Sequence, residues 1–77
     1  MAPGRKSALK RIKGLAPQVE THVQKIVQNP TSESVPHWRA EIRVWLQQIE
    51  KTLPNVGAKT AAGWAARIAE WKDMLGD

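Results

Sequence analysis

The stretch PHWRAEIRVWLQQIEKTLPNVGAKTAAGWAARIAEWKDML, residues 36–75, decides which fold this chain can adopt. Large apolar residues recur every three or four positions on both sides of the segment LPNVG, which is the spacing of one face of an α-helix. The two apolar stripes consist of Trp38, Ile42, Trp45, Ile49 and Leu53, and of Trp64, Ile68, Trp71 and Leu75. We therefore predict two helices joined by a tight turn, with both stripes and their tryptophans in the core. A base-stacking or partner-binding role for the tryptophans is the less favoured alternative.

Helical spacing also covers the residues before this stretch. Pro17 fits the first turn of a helix that runs to about Gln28, because proline is well tolerated at that position. Ahead of it, Ser7 is a candidate N-cap for a short helix over residues 8–13 that Gly14 would end. No segment shows the alternating pattern of a strand. The sequence therefore predicts an all-α fold: a small bundle of three main helices plus a short N-terminal helix, with helices 3 and 4 forming a helical hairpin.

The positive charge of the chain is unevenly distributed. Twelve Lys and Arg residues oppose seven Asp and Glu residues among the 77 residues, for a net charge of +5. Residues 14–77 hold seven of each sign, so the whole excess lies in the first thirteen residues. The cations of that segment are Arg5, Lys6, Lys10, Arg11 and Lys13. We accordingly divide the chain into a basic N-terminal arm, residues 1–14, and a helical domain, residues 15–77, that contains the hairpin of residues 36–75.

Size and composition argue against several classes of function. A chain this short buries a smaller fraction of its unfolded surface than a larger domain does, about 60 to 65%, and has little room for a pocket beside its core, so we expect no enzymatic activity. It has no cysteine, and His22 and His37 have no clustered third ligand, so neither a metal site nor a cofactor is expected. No apolar run approaches the length of a membrane span, and no secretory signal is recognisable. We expect a cytoplasmic or nucleoid-associated protein without a membrane partner.

The turn between the two tryptophan helices has the features of an anion site. A glycine at the start of a helix directs unpaired backbone N–H groups towards one point, where the helix dipole favours negative charge. Gly57 would let a phosphate approach, and Val56 would hold the turn by inserting between the helices. Lys59 adds a full charge, and Thr60 can cap the helix or donate a hydrogen bond. The alternative is an ordinary helix connector with a solvated lysine.

These residues resemble the helix-hairpin-helix motif of DNA-binding and DNA-repair proteins, over residues 49–68. The matching positions are Leu53, Pro54, Val56, Gly57, Lys59, Thr60, Ala61 and Trp64. Asn55 stands where the family has the first hairpin glycine; asparagine tolerates positive φ but brings a side chain close to the phosphate. The resemblance implies binding to the sugar-phosphate backbone without reading of bases. Gly63, inside the last helix, implies either a close helix contact or local slack.

Arm and turn together predict a nucleic-acid-binding module, with double-stranded DNA favoured over RNA. The predicted contact residues are Asn55, Val56, Gly57, Lys59 and Thr60 of the turn, and Arg5, Lys6, Lys10, Arg11 and Lys13 of the arm. Two alternatives remain open. The domain could be a non-enzymatic protein-interaction, regulatory or adaptor bundle, or the arm could bind the acidic surface of a larger protein partner. The sequence does not determine the oligomeric state.

Overall fold

A computed structural model describes residues 4–76 of the chain. Residues 1–3 and 77, at the ends of the predicted arm and helical domain, lie outside the described residues. The elements are α1 (Arg5–Gln28), α2 (Val35–Thr52) and α3 (Ala58–Leu75), with a short 3₁₀ turn, Leu53–Asn55, between the last two. The described residues contain no strand, which confirms the all-α prediction.

The predicted break between a short N-terminal helix and a second helix is wrong. Residues 5–28 form one continuous helix that passes through Gly14 and Pro17, and its N-cap is Gly4 rather than Ser7. An internal glycine and proline together cost about 4 kcal/mol relative to alanine. Full burial of Ile12, Val19 and Val23 offsets this, because each such side chain contributes about 1.5–3 kcal/mol.

The bounds of the other helices agree with the sequence pattern. α1 ends at Gln28, and α2 has its proline in the first turn. α3 starts immediately after Gly57, whose φ of 87° and ψ of 151° strongly favour glycine. It ends at Gly76, which adopts the left-handed conformation with φ 77° and ψ 22°.

The tryptophan stripes are in the core, as predicted, but their main packing partner is α1. Trp71 is buried, and Trp38, Trp45 and Trp64 are partly buried against the core. α1 packs along α2 and, to a smaller extent, along α3, whereas α2 and α3 make less direct contact with each other. The hairpin is therefore held together largely through the helix that precedes it. The buried residues of the core are Ala8, Ile12, Ala16, Val19, Val23, Ile26, Ile42, Leu46, Ile49, Val56, Ile68, Trp71 and Leu75.

The helices run up, down and up along an elongated molecule. Its principal extents are 44 × 20 × 15 Å, and a 24-residue helix such as α1 is about 36 Å long. The start of α1 lies beside the end of α2 and the start of α3, since Arg5 contacts Gly57 and Arg11 lies near Thr52. The division that we predicted between residues 14 and 15 falls in the middle of α1.

Candidate nucleic-acid interface

One end of the bundle collects most of the unpaired positive charge. Residues 1–19 and 51–69 contain no Asp or Glu, and the up-down-up topology brings the described parts of these two segments to the same end. We call this region the basic end; its cations are Arg5, Lys6, Lys10, Arg11 and Lys13 of α1, Lys51 of α2 and Lys59 of α3. Glu50, which precedes Lys51 in the chain, forms an ion pair with Lys72 at 3.2 Å. Among the described residues, none of the seven cations forms an ion pair.

Arg5 joins the predicted arm to the predicted turn. Its guanidinium lies over Gly57, with Cζ 3.6 Å and Nη1 3.7 Å from the position that a Cβ of residue 57 would occupy. The turn thus needs glycine for its backbone conformation, and Arg5 covers the face that glycine leaves open. The first residue of α1 and the residue before α3 form a single surface.

The start of α3 retains free hydrogen-bond donors. No side chain caps this helix, and the carbonyl of Gly57 accepts the first helical bond from the N–H of Ala61 at 2.9 Å. The N–H groups of residues 58–60 therefore have no helical acceptor, and the positive end of the helix dipole lies among them. Thr60 does not act as the cap that its position suggested, so its exposed hydroxyl is available to a ligand. Lys59 is exposed beside it.

The turn itself differs from the expected geometry at one position. Asn55 lies in the 3₁₀ turn, and no described residue other than glycine has a positive φ. The asparagine therefore replaces the family glycine without the left-handed backbone that we anticipated. Val56 is 5% exposed and belongs to the core, which confirms that it holds the turn in place. The Val56 side chain is consequently not exposed to a ligand.

A shallow depression separates α1 from the turn. Ser7, Ala8, Arg11, Thr52 and Asn55 line it. The Thr52 hydroxyl donates to the backbone carbonyl of Gln48 at 2.8 Å, which leaves the side chains of Ser7, Arg11 and Asn55 as the polar groups that can bind a ligand there. Arg11 thus extends the surface around Gly57 along the side of α1 that faces α2.

The remaining cations of α1 lie on a different face of the helix. Lys6, Lys10 and Lys13 are spaced at i, i+4 and i+7, which places them on one exposed side of α1. The predicted contact residues therefore form two groups. One surrounds the turn and consists of Arg5, Arg11, Asn55, Gly57, Lys59 and Thr60; the other is the lysine row of α1.

The surroundings of two residues near this surface, Lys51 and Gly63, could not be predicted from the sequence. Lys51 was counted in the electrically neutral body, yet the last turn of α2 places it at the basic end. Gly63 is the second, because no described atom beyond its chain neighbours and the nearby backbone of α3 lies within 4 Å of the position its Cβ would take. A close helix contact, one of the two explanations considered for Gly63, is therefore wrong. The sequence signal for Lys51 was its position directly before the turn.

Several charged groups elsewhere in the bundle have partners. Glu41 pairs with His37 and with His22, at 3.4 Å from the latter, and the His22 ring packs edge-on against Trp45 at 4.7 Å. Arg67 donates to Glu20 at 2.8 Å. Within the described part of the chain, no group of three or more His, Cys, Asp or Glu residues is arranged to hold a metal ion. None of the described helices is both long and apolar enough to cross a bilayer.

Comparison with protein-family models, curated proteins and solved structures returned no match. The resemblance to the helix-hairpin-helix motif accordingly depends on the residues of the turn and on their geometry alone.

Proposed function

We propose that the basic end binds the phosphate backbone of nucleic acid, with double-stranded DNA as the preferred form and without sequence specificity. The observation that carries the proposal is the packing of the Arg5 guanidinium over Gly57 at the uncapped start of α3. This packing brings the cationic start of α1 against the turn at Gly57. The sequence of that turn had already indicated a phosphate site. A guanidinium and free backbone N–H groups are both well suited to phosphate oxygens.

Charge and geometry support backbone contacts rather than base contacts. The row Lys6, Lys10 and Lys13 extends the cationic surface along α1, as a binding surface for a polyanion would require. Phosphate contacts orient a protein on a duplex but carry no sequence information. The resemblance to the helix-hairpin-helix motif supports the same mode of binding, with Gly57, Lys59 and Thr60 around the phosphate.

Salt dependence provides the direct test. We expect log K for a short blunt duplex to fall linearly with log salt, with a slope of about −5.4 if the five α1 cations and Lys59 neutralise six phosphates. Fluorescence anisotropy of a labelled duplex at several salt concentrations would measure this slope. Undetectable binding at low salt, or affinity that is independent of salt, would rule the proposal out.

A competition experiment separates nucleic acid from other acidic partners. Polyglutamate presents closely spaced carboxylates but lacks the phosphodiester geometry. If it displaces the duplex at an equal concentration of charge, the basic end is a general polyanion surface, and binding to an acidic protein becomes the better description. Displacement that requires a large excess supports the phosphate site.

A further inference from the structure

Gly63 leaves an open space on the surface of α3. It lies in the interior of the helix, where glycine is less stable than alanine, and it is exposed. Apart from its chain neighbours and the nearby backbone of α3, no described atom lies within 4 Å of the place where a Cβ would be, so packing among the described residues does not require a glycine here. The space that it leaves is available to a ligand approaching from outside.

That space is part of a shallow notch on α3. Lys59, Thr60, Gly63, Trp64 and Arg67 line the notch, whose volume of about 270 Å³ is open to solvent. Pockets for whole small molecules are usually larger and more enclosed. A notch of this kind is better suited to one group of an extended polymer than to a free ligand.

The walls of the notch are suited to a flat aromatic ring. Trp64 packs against the core with one part of its indole and remains partly exposed with the rest. The Arg67 guanidinium lies 5.7 Å from the centre of the Trp64 ring and 5.3 Å from that of Trp71, and Glu20 holds it by an ion pair. Indole rings and guanidinium planes are the surfaces on which unpaired bases stack in proteins.

The charged residues that line the notch favour a ligand that carries a phosphate. Glu20 compensates Arg67, but Lys59 at the other side of the notch forms no ion pair among the described residues and is free to contact a phosphate. The notch also lies about 9 Å along α3 from Gly57, so a strand held at the turn can reach it. A nucleotide supplies both the ring and the phosphate that these walls would bind.

We infer that the notch at Gly63 receives an unpaired base of the nucleic acid, stacked against Trp64 and Arg67. This inference rests on the proposed backbone binding and adds to it a site for single-stranded bases, such as those of an overhang beside a duplex. The backbone would be held at Gly57 and Lys59, and the adjoining base would turn into the notch.

A matched pair of variants tests the inference without disturbing the core. Gly63→Leu fills the notch, whereas Ala62→Leu adds the same side chain at the neighbouring exposed position, about 100° around the helix. The probes are a short oligothymidine and a blunt duplex of equal length. We expect Gly63→Leu to weaken oligothymidine binding about tenfold and to leave duplex binding within about twofold. Ala62→Leu should leave both affinities within about twofold.

A spectroscopic measurement on the unaltered protein identifies the stacked ring. The indole N–H resonance of Trp64 should shift on addition of oligothymidine and remain nearly unchanged with the blunt duplex. Equal oligothymidine binding by the two leucine variants would overturn the base site, as would a Trp64 resonance that stays fixed while that of Lys59 moves. In both cases duplex binding survives, whereas failure to bind either probe at low salt overturns the proposed function as well.

Discussion

At the end of the bundle where α1 runs into the loop before α2, Lys25 lies 5.8 Å from the centre of the Trp38 ring, and Glu41 pairs with His22 and His37. At the basic end, by contrast, none of the cations forms an ion pair among the described residues, and the Arg5 guanidinium packs against Gly57. At the first of these ends, the charged groups are engaged in contacts between α1 and α2 and within α2. The second keeps them available, which is the condition for binding an external anion.

The comparison also concerns stability, because both ends contribute buried side chains to the core. Ile12 at the basic end is fully buried, and Ile26 near the other end is 5% exposed. A detachable arm would have left the first of these in solvent. The basic end is thus a folded part of the bundle that carries unused charge.

Truncating the core at the two ends should have the largest effect. We expect Ile12→Ala to lower the free energy of unfolding by about 3 kcal/mol, and Ile26→Ala by a similar or slightly smaller amount, since each leaves a cavity in a packed core. Urea denaturation followed by tryptophan fluorescence would measure both. A loss below about 0.5 kcal/mol for Ile12→Ala alone would indicate that the start of α1 is not packed into the bundle.

Reversing charge should affect the ends differently. The double variant Arg5→Glu with Lys59→Glu should weaken duplex binding about 100-fold at low salt, because it replaces attraction to phosphate by repulsion at two contacts. Lys25→Glu with Arg43→Glu makes the same change in net charge away from the basic end and is the matched control. Equal losses in the two double variants would indicate that only net charge matters.

The two glycines with positive φ provide a smaller contrast. Gly57→Ala should destabilise the fold by about 2 kcal/mol, because its conformation is nearly confined to glycine. Gly76→Ala should cost about 1 kcal/mol, since its left-handed conformation is less restricted and it lies at the end of α3. Thermal unfolding followed by circular dichroism would rank the two losses of stability. A larger loss for Gly76→Ala than for Gly57→Ala would contradict the view that the turn before α3 is the more restricted of the two.

The smallest expected effect is a gain in stability. Gly63→Ala should stabilise the protein by about 1 kcal/mol, because alanine is a better helix former and its Cβ meets nothing in the chain. Gly14→Ala, at an equally open position of α1, should gain about as much. Urea midpoints at constant m-value would report both gains, and a loss at Gly63 would indicate a packing contact there.

Much of the fold could be predicted because its signals are local. The apolar spacing of residues 36–75 identified two helices and placed their tryptophans in the core, and Gly57 marked the start of α3 from the turn alone. The predicted break at Gly14 and Pro17 was wrong for an equally local reason: helix propensity was weighed without the apolar face that runs unbroken from Ala8 to Ile26. Tertiary burial outweighs such propensities.

The candidate site was predicted in pieces rather than as a whole. Arm and turn were identified as separate features, and their contact through Arg5 could not be anticipated from residues 52 positions apart. The backbone of Asn55 was also not predictable from the family pattern, because a 3₁₀ turn accommodates asparagine without positive φ.

By itself, the sequence determined that the chain is helical, that its tryptophans lie on the apolar faces of two helices, and that its surplus charge lies near the N-terminus. Periodicity and composition are properties of neighbouring residues, so no partner is needed to establish them. Only the tertiary structure decided that α1 is the common partner of both tryptophan helices and that Arg5, its first residue, lies beside the start of α3. Those relations depend on which apolar faces bury each other best, and that choice is made by the whole chain at once.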